Sequence, residues 1–220
     1  MNRSLALNVS AVMMVGLMMA GGARAVEDCP LEPGNSGNCR VDGDGPGACT
    51  GDDNDNVIIC VSSEGCIMSG GEGDDVLVGS EEPDCIDGDG GDDSIYGHGG
   101  NDVIEGDGGN DVIVAGDGAD NVSGGDGNDD IAGGYGNDYI QGGKGKDKLG
   151  GENDDDIICG DEGADRLHGG PGDDILDGGD GKDVLSGGIR NETNGDNCYE
   201  DGDRIMNSCE TVDVGVSPCS

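Results

Sequence analysis

Between Gly70 and Ser186 an aliphatic residue recurs at every ninth position: Leu77, Ile86, Ile95, Ile104, Ile113, Val122, Ile131, Ile140, Leu149, Ile158, Leu167, Leu176 and Leu185. Two residues before each of them stands an aspartate: Asp75, Asp84, Asp93, Asp102, Asp111, Asp120, Asp129, Asp138, Asp147, Asp156, Asp165, Asp174 and Asp183. The stretch divides without remainder into thirteen units of nine residues, with aspartate sixth and the aliphatic residue eighth. The first position is Gly in every unit except at Ala115, and the fourth is Gly except at Glu82 and Asp154. A period this strict is the signature of a repeat architecture, in which each unit is one small structural element that must stack on its neighbours.

Each unit has a turn half and a strand half. Positions one to six are rich in Gly and acid, as in Gly124-Gly125-Asp126-Gly127-Asn128-Asp129, and Gly permits the positive φ that tight turns need. Positions seven to nine, such as Asp130-Ile131-Ala132, predict a three-residue strand with its middle side chain on one face. A strand about 10 Å long cannot stand alone and must pair with copies of itself about 4.8 Å away. One buried aliphatic side chain per nine ordered residues is a thin core against the entropy of ordering the chain. A column of aligned carboxylates would add repulsion to that deficit, and a hard dication between the layers reverses its sign. Calcium takes six to eight oxygen ligands from carboxylates and carbonyls, which a Gly-rich turn ending in Asp supplies. Magnesium demands a tighter octahedron. Zinc calls for His or Cys, and the units hold only His98, His168, Cys85 and Cys159.

The units resemble the RTX, or haemolysin-type, calcium-binding nonapeptide GGxGxDxUx. Gly106-Asp107-Gly108-Gly109-Asn110-Asp111-Val112-Ile113-Val114 and Gly169-Gly170-Pro171-Gly172-Asp173-Asp174-Ile175-Leu176-Asp177 are near-complete copies. The resemblance implies an all-β fold, a right-handed parallel β-roll solenoid in which two units make one coil of eighteen residues. Odd and even units then build opposite sheets, and Ca2+ lies between the turns of adjacent coils. Carried onto this chain, Asp75 shares a cation with Asp93, Asp84 with Asp102, and so on to Asp165 with Asp183, giving up to about 11 ions. Two turns depart from the pattern: Gly79-Ser80-Glu81-Glu82-Pro83-Asp84 and Gly151-Glu152-Asn153-Asp154-Asp155-Asp156.

Residues 1–25 are expected to be a signal peptide: Arg3, an apolar run from Leu5 to Ala20, and Ala23-Arg24-Ala25 as the cleavage site. No second apolar stretch follows, so no membrane span is expected in the mature chain. Its removal takes two arginines and no acid, leaving a net charge of −41. A surface so acidic repels nucleic acid and anionic membrane, and with few aromatics it predicts a chain that is disordered without counter-ions. Residues 26–69 and 187–220 are expected to cap the ends of the roll, where a solenoid exposes its core and strand edges. Within the first, Asp52 to Asn56 reads as a decayed repeat turn followed by Val57-Ile58-Ile59. Ten cysteines in a secreted chain point to disulfides. Cys66 and Cys85 lie nineteen residues apart, close to one coil of eighteen, so they are expected to bond to each other; the remaining cysteines divide into Cys29, Cys39, Cys49, Cys60 and Cys159, Cys198, Cys209, Cys219. Asp203-Arg204-Ile205 echoes the repeat, and Val212, Val214 and Val216 suggest a final strand.

Catalysis finds little support in the sequence. His98 and His168 are seventy residues apart, each in a repeat, far from the spacing of a metalloprotease. No G-x-S-x-G elbow occurs. Paired carboxylates recur in every unit, whereas a glycosidase pair is singular. Asn121-Val122-Ser123 and Asn191-Glu192-Thr193 match the glycosylation acceptor, the first of them inside a strand position, and Lys144, Lys146 and Lys148 form the one basic cluster. The expectation is a secreted, non-enzymatic calcium-binding roll with a structural or adhesive role at a cell surface or matrix. The alternatives are a calcium-dependent module for acidic polysaccharide, or an accessory repeat fragment of an enzyme or toxin system.

Overall fold

A computed structural model describes residues 39–41, 49–188, 196–199, 204–205, 209–212 and 219. The expected signal peptide, the Asn191 acceptor and most of the two capping segments' ends lie outside these residues. The described chain is all β, and its strands alternate between two stacks. One sheet runs Cys39–Val41, Val57–Cys60, Val76–Val78, Ser94–Gly99, Val112–Asp117, Asp130–Tyr135, Lys148–Asn153, Arg166–Gly170, Val184–Gly188 and Arg204–Ile205. The other runs Ile67–Glu72, Cys85–Gly90, Val103–Gly108, Asn121–Gly127, Tyr139–Gly145, Ile157–Gly163, Ile175–Asp177, Asp196–Tyr199 and Cys209–Val212, with Asp180–Gly181 pairing to Ile157–Gly163. Pairing is parallel at every step save the first, where Cys39–Val41 runs antiparallel to Val57–Cys60.

The register is eighteen residues per coil. Ile113 lies level with Ile131, Ile131 with Leu149, Val122 with Ile140 and Ile140 with Ile158. Every eighth position from Leu77 to Leu185 is buried, at 0–2% exposure, so the two sheets face each other across paired files of Leu, Ile and Val. The strands are longer than the three residues the pattern predicts, reaching seven at Asn121–Gly127 and Tyr139–Gly145. Pairing breaks at position one and resumes through positions two to four, as Gly125 with Gly143 and Gly127 with Gly145. Identical turns stacked in register present their own N–H and C=O groups to the next coil, so the ladder continues around the corner.

That stacking fixes the glycines. A β-carbon at Gly127 would lie 1.4 Å from the Gly109 carbonyl oxygen, one coil back, so no larger residue fits in the fourth position there. Position two is less strict: it has positive φ throughout the regular turns, yet Asp89, His98, Asp107, Glu152 and Asp161 occupy it as readily as Gly125. Asp and His are among the side chains that tolerate this region best.

The parallel stack begins one coil earlier than Gly70. Val57–Cys60 pairs with Val76–Val78 and Ile67–Glu72 with Cys85–Gly90, while Ile58 and Met68 fill the interior as eighth-position residues. This first coil advances nineteen residues on the Ile58 side, Ile58 lying level with Leu77, which hides it from a nine-residue count. At the other end Ile175 lies level with Asn197 and Val184 with Arg204, so the repeat's echo at Arg204-Ile205 is a rung of the roll. The expected Cys66–Cys85 disulfide does not form. Cys66 bonds to Cys60 (Cα–Cα 6.0 Å), because nineteen residues is one more than the local coil: Cys85 stands level with Ile67, and Cys66 falls a residue short. Cys159 bonds to Cys219 (Cα–Cα 5.8 Å), and Cys49, Cys85 and Cys198 are also disulfide-bonded.

Candidate metal-binding turns

All thirteen sixth-position aspartates are buried, at 0–3% exposure. They point inward because the strand that follows must send its eighth residue to the core, and two residues earlier lies on the same face. Each anchors to the neighbouring coil through one oxygen. The Asp111 N–H donates to Asp129 Oδ1 (2.9 Å), Asp129 N–H to Asp147 Oδ1 (2.9 Å) and Asp147 N–H to Asp165 Oδ1 (2.9 Å). The even units repeat the arrangement from Asp84 N–H to Asp102 Oδ1 (2.8 Å) through Asp156 N–H to Asp174 Oδ1 (3.0 Å). Two files of aspartates therefore run the length of the roll, each member in contact with the one eighteen residues away, as the family pairing implies.

The second oxygen is different. Oδ2 of Asp75, Asp93, Asp102, Asp111, Asp120, Asp129, Asp138, Asp147, Asp156 and Asp165 is buried with no hydrogen-bond partner. Leaving one buried charged oxygen unsatisfied is costly, and here it recurs at every coil from Asp75 onward. In Asp75, Asp93, Asp102, Asp111, Asp129, Asp138, Asp147 and Asp165 it sits beside the first glycine of its own unit, across from the matching carbonyl of the next coil. A β-carbon at Gly124, for example, would lie 2.4 Å from Asp129 Oδ2 and 2.6 Å from the Gly142 carbonyl oxygen. The glycine at position one leaves room for this meeting of a carboxylate and a carbonyl.

Burial pushes these carboxyls up, with acidic neighbours in and beside the file adding to the effect and the N–H bond to Oδ1 opposing it. Asp102 and Asp156 rise to about 8, Asp93, Asp129, Asp138 and Asp165 to about 7, and Asp111 and Asp120 to about 6. Without a counter-ion the ionised file is under strain at neutral pH. The donor set at the files consists of hard oxygens, carboxylate and carbonyl, and it fits calcium rather than zinc. His98 and His168 are exposed.

Asp84 breaks the pattern. Its Oδ1 accepts the Cys66 N–H, and its Oδ2 accepts the Ser80 N–H (2.6 Å) and the Ser80 hydroxyl (3.1 Å). The tenth unit, by contrast, keeps the regular site despite its lost glycines. Glu152 and Asp154 adopt positive φ in their place, and Asp156 Oδ2 remains without a donor.

A further, outer ladder is not evident from the repeat pattern. Asn and Asp at position five form an outer ladder running the opposite way: Asn110 N–H donates to Asp92 Oδ1 (2.7 Å), Asn128 N–H to Asn110 Oδ1 (3.0 Å) and Lys146 N–H to Asn128 Oδ1 (3.1 Å). The turn is thus clamped forward at position six and backward at position five. The mixture of Asp and Asn at that position is the signal the sequence offers for it. In the basic cluster Lys144 pairs with Asp126 (2.6 Å) and Lys148 with Asp130 (2.5 Å), each one coil back. Both pairs are exposed, so they relieve repulsion and add little stability. Away from the two files, Asp87, Glu105 and Asp107 bring carboxylate oxygens within 4.8 Å of one another.

A family model for the RTX calcium-binding nonapeptide repeat matches four times in succession, over residues 69–104, 96–131, 123–158 and 159–189. No individual curated protein matches the chain.

Proposed function

The chain belongs to the RTX calcium-binding nonapeptide repeat family, and from that premise we propose that it is a secreted protein whose roll is completed by calcium outside the cell, where it serves as a structural or adhesive element. The observation that carries this reading is the run of buried, donorless Oδ2 atoms along the roll, most of them facing a carbonyl of the next coil. One dication between each such pair of successive coils would supply the missing partner, giving ten ions: the eleven that the repeat pairing suggests less the one at Asp84, whose Oδ2 already accepts from Ser80. The residues that would hold them are Asp75, Asp93, Asp102, Asp111, Asp120, Asp129, Asp138, Asp147, Asp156 and Asp165, with the first-position carbonyls of the following coils. Calcium would add charge neutralisation there; the chain itself supplies burial, spacing and the N–H anchors.

Extracellular calcium modules commonly bind with dissociation constants of about 10⁻⁴ to 10⁻³ M. Such sites are empty in a low-calcium cytoplasm and fill on export, and an ion that binds only the folded roll stabilises it by mass action. The sequence of residues 1–25 supports export, and no helix among the described residues is long and apolar enough to cross a membrane. We read the protein as non-enzymatic, because its buried carboxylates repeat in every coil. The polysaccharide reading draws on the exposed acids Asp55, Asp74 and Asp92, spaced one coil apart, which could share cations with a polyanion.

Native mass spectrometry of the mature, disulfide-bonded protein tests the assignment. Ten calcium ions, and a mature N-terminus at Val26 in the culture medium, are expected. Two or fewer ions at millimolar calcium would refute the file as the binding site. Glycan binding that appears only with calcium would favour the recognition role over the structural one.

A further inference from the structure

The first coils are built differently from the rest at the positions where later coils require a cation. We propose that the N-terminal end of the roll, Gly51 to Asp87, is a calcium-independent seed onto which the remaining coils assemble as they take up calcium. This rests on the calcium reading above and adds to it a direction and a starting point.

The first coil carries no sixth-position carboxylate. Asn56 and Cys66 stand where later units have Asp, and their N–H groups donate to Asp75 Oδ1 (2.6 Å) and Asp84 Oδ1. Asn56 is satisfied within its own turn: its Oδ1 accepts the Asp52 N–H (2.7 Å), and its Nδ2 donates to Asp52 Oδ1 (3.3 Å). Asp84 is satisfied in the same manner by the Ser80 N–H. In both turns the N–H of position two donates to the side-chain oxygen of position six. The backbone shows why. Position two has positive φ at Gly71, Asp89, His98, Asp107, Gly116, Gly125, Gly134 and Gly143, but Asp52 and Ser80 do not. With the ordinary φ, the N–H swings toward the sixth-position oxygen and a proton donor stands where later coils leave that oxygen bare.

Uncompensated buried charge therefore grows along the chain. The first coil has none at position six, the second has Asp75 alone, and each coil from Asp93 to Asp156 has two. Apolar burial runs the other way. Cys49, Ile58, Cys60, Cys66, Met68, Leu77, Cys85 and Ile86 are all buried in the first two coils, and the Cys60–Cys66 disulfide ties the first one covalently. An end that keeps its shape without ions presents ready-made edges at Val76–Val78 and Cys85–Gly90. Each further coil then adds to an existing template and avoids the entropy of forming a first pairing.

Hydrogen exchange with mass spectrometry on the mature, oxidised protein in EDTA tests this. Amides of 57–60, 67–69, 76–78 and 85–87 should exchange at least about 100-fold more slowly than in the unfolded chain, and those from 103 to 177 should be unprotected. Adding calcium should then protect the rest. If calcium protects 103–177 but the first two coils are unprotected in EDTA, the seed is refuted and the calcium reading stands. If calcium protects nothing, both fall. The variant Ser80→Gly restores the family residue at position two and frees Asp84 Oδ2; it should bind one calcium more than wild type and lose EDTA protection at 85–87. An unchanged count would overturn the assignment of Ser80 as the group that replaces the ion.

Discussion

Replacing Asp129 by Asn should have opposite effects with and without calcium. Asn is nearly isosteric, and its Oδ1 can still accept the Asp111 N–H that Asp129 accepts at 2.9 Å. Its amide NH2 would replace the donorless Oδ2 and could donate to the Gly142 carbonyl that faces that position. Without calcium the substitution removes a buried charge. Burial, with Asp111 and Asp147 close by, lifts Asp129 from 3.8 to about 7. A carboxyl raised on folding supports the fold fully only below about 3.8, and that support is gone once the pH has passed about 7. At pH 8 the ionised group therefore costs the cation-free fold on the order of 2–4 kcal/mol, the lower figure allowing for solvent screening at the turn. Asn avoids that cost. With calcium the sign reverses, since one lost ion at 10 mM calcium forfeits about 1.4–2.7 kcal/mol for dissociation constants of 10⁻³ to 10⁻⁴ M. The assay is far-UV circular dichroism of the mature protein in two series. In EDTA, an acid titration from pH 8 should show Asp129→Asn gaining β signal at a higher pH than wild type. In 10 mM calcium, its urea midpoint should fall. A variant that moves in the same direction in both series would refute the reasoning, because Asp129 would then be no more than a hydrogen-bond acceptor.

Further expectations follow from the same geometry. Because Asp93, Asp102 and Asp156 rise to about 7 to 8 by burial, calcium must displace protons from them below that range; the calcium midpoint for folding should rise between pH 8 and pH 6, which a titration at each pH measures. Gly127→Ala should cost several kcal/mol in calcium, since its β-carbon would lie 1.4 Å from the Gly109 carbonyl, whereas Gly108→Ala meets nothing nearer than 3.9 Å and should stay within about 1 kcal/mol of wild type by urea unfolding. Removing Cys159–Cys219 by paired Ser substitution opens a link spanning 60 residues and should lower stability by about 4 kcal/mol, read as a drop in thermal midpoint.

The interior is legible in the sequence because two of its constraints are chemical and repeat without exception. Only an aliphatic residue fills position eight, and only a carboxylate occupies position six from Asp75 to Asp183, so the eighteen-residue register can be counted along the chain itself. The N-terminal end is not legible, for a physical reason: its turns do not carry the sixth-position carboxylate. Asn56 and Cys66 replace Asp, an added residue puts Ile58 nineteen residues from Leu77, and the nine-residue phase is lost although the coil persists. The Cys66–Cys85 expectation fails on a single residue too. Alternation across a strand makes a one-residue offset a change of face, and Cys60 supplies the nearer thiol. Ser80 is visible as a lost glycine, which marks the turn as irregular. That its N–H and hydroxyl donate to Asp84 Oδ2 depends on which way the backbone turns, and the residue type alone does not fix that. The position-five ladder is hidden by variety, since Asp, Asn, Lys, Ala and Pro all occur there and only the first two can accept from the coil above.

The most direct test of calcium-driven closure is a calcium titration of the mature, oxidised protein at pH 7.5, followed together by far-UV circular dichroism and calorimetry. Little β signal beyond the first coils is expected in EDTA, then a cooperative gain at about 10⁻⁴ to 10⁻³ M calcium, with heat released in step and no equivalent effect of magnesium. A β signal that is already complete in EDTA and unmoved by calcium would contradict it.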